Sequence, residues 1–362
     1  MLKLPSLNTE ITWFEKVTTL DLLALTKHLS LMLKSGITLA EAVSILVQQT
    51  QKTVFRRLLE EVHQELANGQ SLHKALMKFP RVFDPFFINL IKAADESGTL
   101  EKNLDYLSDH LKKRREFVSK VQGALLYPGI VLSVAVVAGL GLSFFVLPKL
   151  VDLFSSLDVE LPLSTKILIW FAQLMKNHGG LVAICLVASA FLLRYLVKTR
   201  FVRPWWDRVV LRTPIFGQFL QNIELASIFR NLGTMLSVGV PIAAAIDVQT
   251  ETTPNTVYKY YLQRLRAGVG KGKSAEEVFS AKDVRFIPLL AVRMIGTGEK
   301  TGRLDETLLY LGEYYENEVD EASKNLATVL EPVILVCVGL VVAFIAIAII
   351  GPIYQFTGSV GR

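Results

Sequence analysis

The phrase "ADESGTLEKNLDYL" begins at Ala94, and a close relative of it, "GEKTGRLDETLLYL", begins at Gly298. Gly98 pairs with Gly302, Leu100 with Leu304, Leu104 with Leu308, Tyr106 with Tyr310 and Leu107 with Leu311. The echo is wider than one phrase. "LSLMLKSGITLAEAV" around Gly36 answers to "LGTMLSVGVPIAAAI" around Gly239, and "NGQSL" at Asn68 to "KGKSA" at Lys271. Pro85 pairs with Pro288 in that register; one inserted residue later, Pro128 pairs with Pro332 and Pro148 with Pro352. The chain therefore uses one unit twice, and each use runs into a long apolar stretch.

Within a copy the apolar residues recur at three- and four-residue spacing, as in Leu22, Leu25, Leu29, Met32 and Leu33, the stripe of an amphipathic helix. Gly36 sits where such a helix should stop, and Thr38 is placed to cap the next. Ser97 and Thr301 are expected to cap helices whose first turns carry Glu101, or Asp305 and Glu306, next to the positive end of the dipole. Each copy reads as a compact set of short helices whose last member continues into the apolar run.

Three windows suit a membrane crossing, which needs about 20 mostly apolar residues: 126–147, 179–197 and 332–350. The first and third hold no charge, and the second holds Arg194 near one end. Of the 362 residues 51% are hydrophobic, and the mean hydropathy is +0.40, so the expectation is an all-α membrane protein with large polar parts. Basic residues crowd one side of the spans. Lys112, Lys113, Arg114, Arg115 and Lys120 precede the first, and Lys198, Arg200, Arg203, Arg208 and Arg212 follow the second. The connection from Lys149 to Lys166 instead carries Asp152, Asp158 and Glu160. That pattern predicts an N-terminal segment 1–19, a cytoplasmic helical domain 20–125, and an outward-facing loop 148–178 with an interfacial helix. A second cytoplasmic domain 198–331 and an outward-facing tail 351–362 complete the layout. The N-terminus shows no charged region followed by an apolar core, so no signal peptide is expected.

Taken together, the segment "TPIFGQFLQNIELASIFRNLGTMLSVGVPIAAAI", the two glycine turns, and the pairs Tyr127-Pro128 and Glu331-Pro332 resemble the GspF/PilC family. These are inner-membrane platform proteins of type II secretion systems and type IV pilus machines. The resemblance runs from about Leu20 to Pro352, and Ala94-Asp95 departs from the family-like Gly298-Glu299 of the second copy. It implies two homologous cytoplasmic six-helix bundles and a homodimer or higher homo-oligomer in the bacterial inner membrane. It also implies partners: a hexameric secretion ATPase, pilin or pseudopilin subunits, and other inner-membrane assembly proteins. Gly36, Asp95, Gly98, Tyr127, Pro128, Gly239, Glu299, Gly302, Glu331 and Pro332 become the candidate partner-contact positions. Asp95 and Glu299 divide between local capping and ATPase contact. Glu331 divides between capping a membrane helix, with Pro332 in its first turn, and contact with another subunit or a pilin.

Chemistry is otherwise thin. "AGVGKGKS" at 267–274 mimics a phosphate loop, yet Ala267 replaces the first glycine and the preceding "YYLQRLRAG" reads as helix, so an inter-helix turn is expected. His28, His63, His73, His110 and His178 never fall at ligand spacing, and nearly all of them read as solvated helix faces. The acidic run Glu313, Glu316, Glu318, Asp320 and Glu321 is either a solvated face or a site for a cation or basic partner. No nucleophile with a base is visible, so no catalytic site and no cofactor is expected. Small residues recur at Ala135, Gly139 and Ser143 and at Gly339 and Ala343, a spacing that lets helices approach. The two cysteines, Cys185 and Cys337, lie inside apolar runs. A net charge of +6 without a basic stripe argues against nucleic acid. A transporter or channel, or another helical scaffold, is the rival class; a transporter would place ionisable residues or broken helices within its spans.

Overall fold

A computed structural model describes residues 16–141, 163–199, 201–214 and 216–360; side chains within the apolar stretches are described only in part. Every regular element among the described residues is a helix. The first copy holds α1 (Thr19–Lys34), α2 (Leu39–Gln49), α3 (Thr53–Ala67), α4 (Leu72–Met77), α5 (Pro85–Ser97) and α6 (Leu100–Gly141). Next come α7 (Leu163–Lys198) and α8 (Arg203–Arg212). The second copy holds α9 (Phe216–Ser237), α10 (Ile242–Thr252), α11 (Thr256–Val269), α12 (Ala275–Phe279), α13 (Leu289–Thr301) and α14 (Leu304–Val360). The two sets correspond one to one in order. The chain divides into two compact units. One joins Met1–Ser119 with Gln218–Val319, and the other joins Lys120–Gly217 with Asp320–Arg362.

Within the first unit each copy buries an equivalent cluster. Leu29, Val43, Val62, Leu76, Ile91 and Leu104 line the middle of the first copy, and Leu232, Ile246, Leu265, Phe279, Ile295 and Leu308 that of the second. Burying one such side chain contributes about 1.5–3 kcal/mol, so these stripes supply the force that folds each copy. Thr38 caps α2 as expected, its hydroxyl accepting from Glu41 N at 3.4 Å. The caps expected at Ser97 and Thr301 do not form. Both residues end the preceding helix and donate back into it, Ser97 Oγ to Ala93 O at 2.7 Å and Thr301 Oγ1 to Thr297 O at 2.9 Å. Gly98 and Gly302 follow in the left-handed region at φ 70° and 71°, where a Cβ would be strained. The next helix starts within two residues, so its N-cap position falls on Thr99 and on Arg303.

The register of the repeat also differs from the pairing of Pro85 with Pro288. Pro85 is the first residue of α5, whereas Pro288 is the N-cap of α13. The second copy has therefore gained its extra residue earlier, in the loop after the fourth helix. The two last helices are long: α14 has 57 residues, about 85 Å at 1.5 Å per residue. Pro332 thus lies deep inside α14 and not in a first turn, and Pro128 lies inside α6. The segment expected as a separate interfacial helix is the first part of α7, set off from the rest at His178, whose φ of −130° breaks the helical path. The tail expected after 350 continues α14 to Val360. Residues 1–15 and 142–162, which hold most of the N-terminal segment and part of the outward loop, lie outside the described residues, as does Ser143. Among the described residues no helix is long and apolar enough to cross a membrane. Many residues of the three apolar windows have side chains outside that set.

Two glycines bring α9 against α14. A Cβ on Gly233 would meet Leu309 N at 2.8 Å, and one on Gly312 would meet Arg230 N at 2.9 Å. In the first copy Ser30 occupies the place of Gly233 and its hydroxyl donates to Glu101 O at 3.1 Å. Backbone atoms cannot retreat as a side chain does. Gly312→Ala is therefore expected to lower the unfolding free energy by about 1–3 kcal/mol, read as an earlier thermal loss of helical circular dichroism in detergent.

Candidate functional site

The candidate positions fall into two groups. The first gathers at the turns that end α1, α5, α9 and α13. Gly36, Gly98, Gly239 and Gly302 all have positive φ, at 82°, 70°, 87° and 71°, and all are exposed. The second group is Tyr127, Pro128, Glu331 and Pro332, which lie inside α6 and α14; the side chains of the first three are outside the described set, and Pro332 is exposed.

Asp95 and Glu299 turn back towards the fourth helix of their own copy. Asp95 Oδ2 accepts from His73 N at 2.9 Å and lies 2.7 Å from His73 Nδ1. Glu299 Oε2 accepts from Ala275 N at 2.9 Å. Each carboxylate thus satisfies an orphan N–H in the first turn of a short helix and meets the positive end of its dipole. α4 and α12 are too short to be stable alone, so this link fixes them to α5 and α13. The second copy adds a further link. Glu276 accepts from Arg293 Nη1 at 2.7 Å and Lys300 Nζ at 2.8 Å. The hydrogen bond from Lys300, then that from Arg293, holds its carboxyl below the usual range.

The glycine-rich stretch 267–274 forms the turn between α11 and α12. Gly272 is at φ 76°, Ser274 Oγ accepts from Glu277 N at 3.1 Å as the cap of α12, and Lys273 Nζ pairs with Glu277 at 2.6 Å. Helix, not strand, precedes it. The acidic run is divided: Glu316 pairs with Arg230, with one bond at 2.7 Å, and Asp320 pairs with Lys120 at 2.7 Å. Among the described residues no three His, Cys, Asp or Glu side chains come together as a metal ion requires.

His110 overturns the expectation of a solvated face. It is buried in α6, stacked on Phe86 with ring centroids 4.3 Å apart, and neither ring nitrogen has a hydrogen-bond partner among the described residues. Burial first, then the positive charges of Arg114, Arg230 and Lys113, pulls its pKa down to about 3. Periodicity gave the signal in principle, because His110 shares a helical face with Leu107, Leu111 and Asn103; a histidine ring is simply compatible with either side of that face.

The comparisons with known proteins fit this doubled architecture. The family described as "Type II secretion system (T2SS), protein F" matches the sequence twice, over residues 25–148 and 228–352. The chain belongs to the type II secretion system protein F family. The two matched segments repeat the register of the glycine pairs and span both copies. Among its relatives, the type IV pilus assembly protein PilC of Pseudomonas aeruginosa is 31% identical over 348 residues, covering 96% of this chain and 92% of that one. Type II secretion system protein F of Aeromonas hydrophila is 29% identical over 346 residues, covering 94% and 88%. The protein of that name in Xanthomonas campestris is 30% identical over 347 residues, covering 94% and 84%.

Two predictions test the geometry. Asp95→Ala is expected to lower stability by about 1–2 kcal/mol through loss of the cap, with Asp95→Asn milder, both read by thermal denaturation. For His110, a folded pKa below the unfolded value near 6.5 means that the unfolded chain takes up the proton first. Stability is then full above about pH 6.5 and falls as pH drops towards 3, by up to about 1.4 kcal/mol per unit. The melting temperature should fall between pH 7.5 and 5.0, and His110→Phe should flatten that fall.

Proposed function

We propose that the protein is an inner-membrane platform of a type IV pilus or type II secretion machine, coupling a cytoplasmic secretion ATPase to assembly of pilin-like subunits. The observation that carries the reading is the double family match, together with relatives of both machine types aligned over nearly their whole length. In this reading the two copies are cytoplasmic six-helix bundles, 20–125 and 198–331. They are joined to spans at 126–147 and 332–350, with 179–197 returning the chain. Exposed large apolar side chains such as Val137, Phe191 and Leu340 support spans that face lipid. Basic residues flanking the spans support a cytoplasmic N-terminus and an outward C-terminus.

The exposed turns at Gly98 and Gly302, with Asp95 and Glu299 behind them, are the proposed contacts for the ATPase. Tyr127-Pro128 and Glu331-Pro332 are those for pilin-like subunits or a second protomer. The protein acts as a scaffold and not as an enzyme; it self-associates as a homodimer or larger homo-oligomer. Deleting its gene should abolish surface pili or secretion of the cognate cargo, with recovery on re-expression. The purified chain should hydrolyse no ATP alone and raise the turnover of its cognate ATPase. Hydrolysis by the chain itself, lost in Lys273→Ala, overturns the reading.

A further inference from the structure

The two copies do not bury equivalent faces. In the first, Phe86, Leu90 and His110 are 3%, 0% and 5% exposed. This is the copy whose α5 packs on α10 of the second, and Arg230 of α9 is near enough to His110 to depress its pKa. The helix bounds place Leu290, Met294 and Tyr314 of α13 and α14 at those three positions. There Leu290 is 54% exposed and its neighbour Leu289 66%, while Met294 and Tyr314 are half-buried.

The covering surface shows the reverse. Arg230, Thr234 and Val248 of the second copy are buried. Their counterparts on α1 and α2 of the first copy are Lys27, which is exposed, Leu31, which is 50% exposed, and Ile45, which is half-buried. On the same copy a groove of about 340 Å³ opens between the N-terminal half of α1, the end of α2 and the start of α3, floored by Leu25, Leu46 and Phe55 and edged by His28. The contact that joins the copies inside one chain thus leaves one half uncovered on each copy.

We infer that these two halves meet between chains: the Leu290–Met294 ridge of one protomer seats on the α1–α2 face of a second copy, with α13 against α2 at Ile45 as α5 lies against α10 within the chain. The chain carries both halves of the interface, and its internal contact shows how they fit. Burial of exposed leucines provides the driving force. Such a contact is heterologous, and repeated by each protomer it builds a ring of bundles where the rotation closes. The inference rests on the self-association proposed above and not on which machine the protein serves.

The test uses the full chain in detergent, with Cys185→Ser and Cys337→Ser as background. Differently tagged Ile45→Cys and Leu290→Cys chains are co-expressed and oxidised. The expected result is a disulfide-linked dimer carrying both tags, lost when Ile45 is restored. Leu290→Asp should shift the protein to a smaller species with unchanged helical circular dichroism. Self-pairing of Leu290→Cys, its capture of a different protein in preference, or a chain that is monomeric throughout overturns the inference. A monomer that still supports pili or secretion would do so while leaving the platform role intact.

Discussion

Everything in this molecule follows from the double duty of its last helix in each copy. α6 and α14 must bury one stripe among five short helices and then continue, unbroken, into an apolar stretch. The first task demands a polar outer face and close neighbours. The second demands apolar side chains all round. Pro128 and Pro332 inside these helices mark the changeover without ending either one.

The short helices are held by links that the duplication has varied without abandoning. Asp95 caps α4 through His73 N, and the longer Glu299 reaches Ala275 N, one position earlier in the corresponding helix. Ser30 approaches the last helix through a hydroxyl, whereas Gly233 approaches it through bare backbone. The second copy adds the Glu276 pair with Arg293 and Lys300, absent from the first, where His73 stands at the Glu276 position. The same topology is reached by different side-chain chemistry.

The copies differ where they face each other. A buried, unpaired imidazole at His110 is a costly choice, since the ring loses water without gaining a hydrogen bond. Its stack on Phe86 offsets part of that cost and closes the surface against the second copy. At the equivalent place the second copy retains tyrosine and exposed leucine, a surface suited to a partner outside the chain.

The local features were legible in the residues themselves. Helical spacing, the glycines that need positive φ, the cap at Thr38 and the duplication all follow from rules acting over a few positions, and the residues carrying them are where those rules put them. The point at which the repeat slips by one residue was not legible, because two prolines matched in sequence while occupying different places at the start of a helix. Nor was the fate of Ser97 and Thr301, whose hydroxyls satisfy their own helix as readily as they cap the next. The burial of His110 was not legible for a deeper reason: burial of a group that suits either face depends on what lies across from it. What lies across is another copy of the same unit some two hundred residues away. Sequence alone determined which segments are helical and that the unit is used twice. Only the tertiary structure decided which face of each copy is covered, because that depends on contacts between residues with no local relation in the chain.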